Sequence, residues 1–206
     1  MRKNRTRARP AVRAPRHPQM NAEGPAAPIS MSEEISEEMR RHVISVLVDN
    51  ETGVLARVIG MVAARGYNIE SLTVAEVDHN RNLSRINILT AGTRRIIEQI
   101  KAQLGRLIPV HEVRDLTAEG PSVARELALV KVVGTGEKRN EALRIGDIFR
   151  TNVVDSTVSS FVFEIVGNSQ KVDAFIDLMR PLGLTEVSRT GIAAIARGVG
   201  GLRALS

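Results

Sequence analysis

The sequence predicts an α+β protein built from two ferredoxin-like βαββαβ sandwiches in tandem, and three observations carry that expectation. The apolar period switches repeatedly between strand-like and helix-like spacing. The same order of six elements occurs twice, about 80 residues apart. Between the two runs stands the dipeptide Gly120-Pro121, a strong break in any regular element.

The first run opens at Val43. Val43 to Val48 form a nearly continuous apolar, β-branched stretch of strand length, whereas Val54, Leu55, Val58, Ile59 and Val62 recur at helical spacing. A turn carrying Asp49, Asn50 and Gly53 separates them, and Gly66, Tyr67 and Asn68 lead into a second strand. Ser71 to Val77 alternates, as does Ser84 to Thr90, with the polar turn Asp78, His79, Asn80 and Asn82 between them as in a hairpin. Ile96, Ile97, Ile100, Leu104, Leu107 and Ile108 form a helical stripe with Thr93 as its N-cap and Pro109 as its stop. Val110 to Leu116 supplies a fourth strand.

The second run repeats the order. Leu127 to Val133 reads as a strand, Ala142, Ile145 and Phe149 mark a helix, and Val153 to Val158 and Phe161 to Val166 read as two strands. Val172, Phe175, Ile176, Met179 and Leu182 mark a helix closed by Pro181 and Gly183, and Leu184 to Arg189 is the last strand. Each unit is expected to be a four-stranded antiparallel sheet with two helices on one face. The expected organisation is a disordered extension over 1–40, folded units over 41–119 and 120–198, and a loose glycine-rich tail over 199–206.

Composition narrows the function. At 206 residues the chain is long enough for one large or two small domains, and 43% hydrophobic content supplies a core. It has no cysteine, which excludes disulfides and thiolate metal sites. Aromatic residues are 2%, a poor supply of stacking platforms for single-stranded nucleic acid. No apolar run approaches the ~20 residues of a membrane-spanning helix, so a soluble protein is expected. The net charge of +6 is local: Arg2, Lys3, Arg5, Arg7, Arg9, Arg13 and Arg16 carry seven positive charges, and taking those seven from +6 leaves −1 for the remainder. A nucleic-acid domain carries a basic face of its own, which this body lacks. Residues 1–40 are rich in Arg, Pro and Ala, then acidic at Glu33, Glu34, Glu37 and Glu38. They read as disordered. A transit peptide is disfavoured by their many prolines and scarce serines, and Met20, Met31 and Met39 are alternative starts.

Chemistry concentrates where the period changes, at Asn50 to Gly53. A strand feeding a helix through a glycine leaves unpaired amides at the helix N-terminus, suited to a carboxylate or another small anion. Gly53 lets a ligand approach the backbone, and Asn50 both donates and accepts. The same residues also make an ordinary turn glycine and asparagine cap, and spacing alone does not separate the two readings. Catalytic constellations are not found. His17, His42, His79 and His111 lack metal-ligand spacing and read as surface residues. Gly134-Thr135-Gly136 precedes a helix without Walker or dinucleotide spacing. A binding or regulatory module is therefore favoured over an enzyme.

These residues carry a family resemblance. The block VLVDNETGVLARVIGMVAARGYNIESLTVAEVD, with Asn50, Gly53, Gly66, Tyr67, Asn68 and Ile69, resembles the ACT domain of the small regulatory subunit of acetolactate synthase (acetohydroxyacid synthase). Similarity continues through LSRINILTAG, IEQIKAQLGRLIPVHEVRDL and RELALVKV, then IFRTNVVDSTVSSFVFEIVG, KVDAFIDLMRPLG and EVSRTGIAAIARG, covering roughly Arg41 to Gly198.

The resemblance implies a cytoplasmic, non-catalytic subunit in branched-chain amino-acid synthesis. Its implied partner is a large catalytic subunit carrying thiamine diphosphate, Mg²⁺ and FAD, with no cofactor on this chain. The implied effector is valine, with leucine and isoleucine as alternatives, bound at a homodimer interface between the turn of one protomer and the second strand of the other. Carried onto this chain, the effector carboxylate meets the amides of Gly53, Val54 and Leu55, Asn50 and Asn68 take the ammonium, and the side chain rests on Val54, Leu55 and Ile69. Ala56 departs from the Ser of many relatives. The second unit lacks the Asn and Gly pattern and is expected to contact the large subunit. Two other readings remain open at this stage: a free-standing sensor or nucleic-acid-binding regulator, and an enzyme on the same scaffold.

Overall fold

The computed structural model describes residues 38–199. β1 (Arg40–Asp49) is buried continuously from Val43 to Val48, because both of its faces are covered. After the turn, α1 (Val54–Ala63) packs Val54, Val58 and Val62 onto the sheet. β2 (Ile69–Asp78) and β3 (Leu83–Gly92) form a hairpin, followed by α2 (Arg94–Leu104) and β4 (Val110–Asp115). Every pairing is antiparallel and the order is β2-β3-β1-β4. The core lies between this sheet and its helices, where Ile44, Val46, Val48, Ile86 and Ile88 meet Val58, Ile97, Ile100 and Leu104.

The second unit repeats the plan with β5 (Ser122–Val133), α3 (Glu137–Phe149), β6 (Asn152–Ser156), β7 (Ser160–Gly167), α4 (Ser169–Gly183) and β8 (Leu184–Arg189). Its order, β6-β7-β5-β8, matches that of the first sheet. Phe163 and Phe175 meet edge to face, centroids 5.7 Å apart, at the centre of its core. Two tandem ferredoxin-like sandwiches are thus the architecture, as the element order predicted.

The details differ in four places. α2 stops at Leu104, so Leu107 and Ile108 lie beyond it and Ile108 is fully exposed; Gly105 caps the helix, and Pro109 bars its predecessor from helical backbone. β6 ends at Ser156, leaving Val158 in an exposed turn. β1 begins at Arg40, which places His42 inside the strand rather than on the surface. His42 is buried, with Nδ1 2.7 Å from Asp115 Oδ2.

The fourth difference is an extra strand. β9 (Ala193–Ala196) pairs with Ser122–Arg125 at the start of β5. It lies against the face of the first sheet opposite that sheet's helices, where Ile192 and Ala194 pack on Val43 and Leu116. The Ile192 amide donates to Ser71 Oγ (3.0 Å), and Thr73 Oγ1 donates to the Ile192 carbonyl (2.8 Å). The two units therefore pack against each other across the boundary expected at 119/120. The readings of residues 1–37 and 200–206 lie outside the described residues.

Candidate functional site

The turn between β1 and α1 is set by Gly53. Its φ of +86° is the left-handed conformation that L side chains disfavour, and a Cβ built there meets nothing within 4 Å. Glycine is needed here for backbone conformation, not for lack of room. Asn82 holds the preceding residue: the Asn50 amide donates to the Asn82 carbonyl (2.6 Å), and Asn82 Nδ2 donates to the Asn50 carbonyl (3.1 Å). The Asn50 backbone is thus fixed while its side chain stays exposed.

No side chain caps α1, so the asparagine-cap reading fails and the first-turn amides other than that of Val54 are left for another acceptor. Val54 contributes less than its position suggested. Its amide reaches back to the Glu51 carbonyl at 3.3 Å, and its side chain is turned into the core at 2% exposure. It cannot form an apolar wall for a ligand, because the helical register that buries Val58 and Val62 buries it too. Leu55, at 38% exposure, is the apolar side chain available at this end.

Asn68 and Ile69 stand at the start of β2. Asn68 is exposed and its carbonyl accepts a bond from Thr90 Oγ1 (2.7 Å), while Ile69 is half-buried against the core. Their distance from the turn follows from strand register. Ile69 is opposite Thr90 and Asp49 is opposite Leu83, so the strand start and the turn are seven positions apart along β3, 90 less 83. At ~3.3 Å per residue that is about 23 Å. A single chain therefore brings Asn50, Gly53 and Leu55 together, but holds Asn68 and Ile69 at the opposite end of the sheet.

Several charged groups around these elements are paired. His111 Nε2 lies 2.6 Å from Asp49 Oδ1 beside the turn, and exposed His79 contacts Glu76. Arg189 bonds the buried carboxylate of Glu126 and reaches Asp173 at 2.6 Å; the bond to Glu126, then that to Asp173, holds its guanidinium pKa above the usual value despite burial. Among the described residues, no group of three or more His, Asp or Glu is placed to share a metal ion. None of the described helices is long and apolar enough to cross a membrane. The Gly134-Thr135-Gly136 stretch serves as the entry to α3, with Gly136 at its N-terminus.

The sequence reading missed the tie from Ser71 and Thr73 to Ile192. Alternation placed both hydroxyls on one face of β2, but their partner is about 120 residues away in sequence and lies in a segment with no strand signal.

Comparison with known proteins bears on the family and the fold. Residues 44–112 match the family described as the AHAS small subunit-like ACT domain, and residues 125–198 match the small subunit of acetolactate synthase. The chain is 46% identical over 158 residues to a probable acetolactate synthase small subunit of Archaeoglobus fulgidus, covering 77% of this chain and 98% of that one. It is 43% identical over 159 residues to the acetolactate synthase isozyme 3 small subunit of Escherichia coli, covering 77% and 96%. Among solved structures, the acetolactate synthase small subunit of Thermotoga maritima superposes with a TM-score of 0.69 at 38% identity, covering 77% of this chain and 98% of that one. The chain belongs to the acetolactate synthase small-subunit family.

Proposed function

We propose that this chain is the regulatory subunit of an acetolactate synthase, binding the large catalytic subunit, raising its activity and making it sensitive to valine. The carrying observation is the separation of the two half-sites. The turn with Asn50, Gly53 and Leu55 offers amides to a carboxylate, and the strand start with Asn68 and Ile69 offers an acceptor and an apolar surface. They lie at opposite ends of one sheet, so a single effector touches both only where two copies meet. In this reading, thiamine diphosphate, Mg²⁺ and FAD belong to the large subunit, the complex is cytoplasmic, and the second unit contributes to contact with the partner.

Valine inhibits only insofar as it binds one arrangement of the complex more tightly than another. Typical coupling of about 1–3 kcal/mol corresponds to about 5- to 150-fold changes in affinity. A homodimer joined through the ACT units holds the catalytic subunit in its active arrangement, and valine at the interface stabilises a less activating one. Gly53→Asp sets a carboxylate where the effector carboxylate binds. In a reconstituted synthase assay this variant is expected to activate the large subunit and to lose valine inhibition. Full valine sensitivity in the variant overturns the site.

A further inference from the structure

The face of the first sheet opposite its helices is only partly covered by β9 and the start of β5. Beside that cover lies a cleft of about 390 Å³ with Ala75 and Val77 of β2 on one side and Val123 and Ile195 of the second unit on the other. Its charged lining is Arg85 and Arg125, with no Asp or Glu among the described lining residues.

The floor is under-satisfied. Among the described residues, four buried side-chain polar atoms lack a hydrogen-bond partner; two of them, Asn87 Oδ1 and Arg85 Nε, belong to residues that line the cleft, and a third, Ser45 Oγ, lies on the neighbouring strand. Ser45 and Asn87 are cross-strand partners, and Arg85 precedes Asn87 by two positions along β3 on the same face. Ser45 is fully buried and Asn87 is 7% exposed, so bulk water does not compensate them. Burial pushes the Arg85 guanidinium pKa below its usual value; Glu112 opposes this, but Glu112 also faces Arg114 at 3.6 Å. Arg125 donates to the Ala124 carbonyl, a neutral partner.

We propose that this cleft is a second small-molecule site, taking an aliphatic monocarboxylate with its carboxylate on Arg85 and Arg125 and its tail on Val77, Val123 and Ile195. A carboxylate supplies the acceptors two guanidinium groups require and a short hydrocarbon tail fits apolar walls. The site differs from the turn in two respects: it is complete within one chain, and its charged groups are donors, so it does not require an ammonium group on the ligand. Because its walls come from both units, an occupant bears on how they are held together.

Titrating the methyl-labelled full-length chain with isovalerate and hexanoate, which lack an ammonium group, tests this. The expected result is saturable shifts of the Val77, Val123 and Ile195 methyls, weakened about tenfold or more by Arg85→Gln and by Arg125→Gln. Arg125 is exposed, so its variant keeps the test decisive if Arg85→Gln disturbs folding. Shifts confined to Leu55 and Ile69, cleft shifts indifferent to Arg125→Gln, or no saturable shifts overturn the proposal. Each of those results leaves the valine assay on the synthase untouched.

Discussion

At the scale of single residues, backbone conformation and pairing decide more than side-chain type. Gly53 has open space around it, so Gly53→Ala adds left-handed strain and no clash, at about 1 kcal/mol. Chemical denaturation should find that cost, and a loss beyond ~3 kcal/mol would mean that the turn is crowded after all. Glu119 offers a pH-dependent case. It accepts bonds from Lys101 Nζ (2.6 Å) and the Asp115 amide (3.1 Å), tying α2 to the β4–β5 turn. Burial alone raises its carboxyl pKa, but Lys101, the Asp115 amide and Arg114 together hold it below the usual value. A depressed carboxylate contributes stability above its unfolded pKa and loses it as pH falls through the folded one. Glu119→Gln should therefore cost about 0.5–1 kcal/mol at neutral pH, given its partial exposure. The gap should narrow as pH falls below the unfolded carboxylate value of ~4.3 and close below the lower folded one, as acid-titrated unfolding would record. Some of this was legible. Thr93, a β-region residue whose hydroxyl accepts from the Ile96 amide, was readable as a cap from its place before an apolar stripe. Burial of His42 was not, because it depends on the strand starting at Arg40 and on Asp115 standing beside it.

At the scale of elements, long periodic segments were readable and short ones were not. β1, α1, β3 and α4 announce themselves through sustained apolar periods that packing enforces. α2 was read one turn too long, because Leu107 and Ile108 continue its stripe while Gly105 ends its backbone. β9 has four residues, three of them alanine, and its reason for being a strand is the start of β5 beside it. The segment leading into β9 is held by Gly191 at φ +82°, where a Cβ would stand 2.5 Å from Ser71 Oγ and 3.1 Å from Thr73 Cγ2. Gly191→Ala is thus expected to break the two bonds to Ile192 and cost about 2 kcal/mol. Hydrogen exchange at the Ile192 amide should accelerate tenfold or more, and unchanged protection there would deny the tie a structural role.

At the scale of the whole molecule, the proposed valine response depends on two copies completing what one chain separates. Mixed dimers make this testable. A protomer carrying Gly53→Asp retains its strand start, and one carrying Asn68→Leu retains its turn, so their heterodimer rebuilds one intact site from two defective chains. Co-assembled with the large subunit, the pair should recover partial valine inhibition that neither variant gives alone; no recovery would place both halves of the site in one chain or elsewhere. The turn, with Asn50 and Gly53 between strand and helix, was legible in the sequence, whereas its separation of about 23 Å from the start of β2 emerges only from strand register. The most direct measurement of the central claim is acetolactate formation by the purified large subunit, alone, with this chain, and with this chain plus valine. Activation by the chain, reversed by valine, is the expected result. Unchanged activity in both conditions, from a folded chain, would contradict the regulatory role.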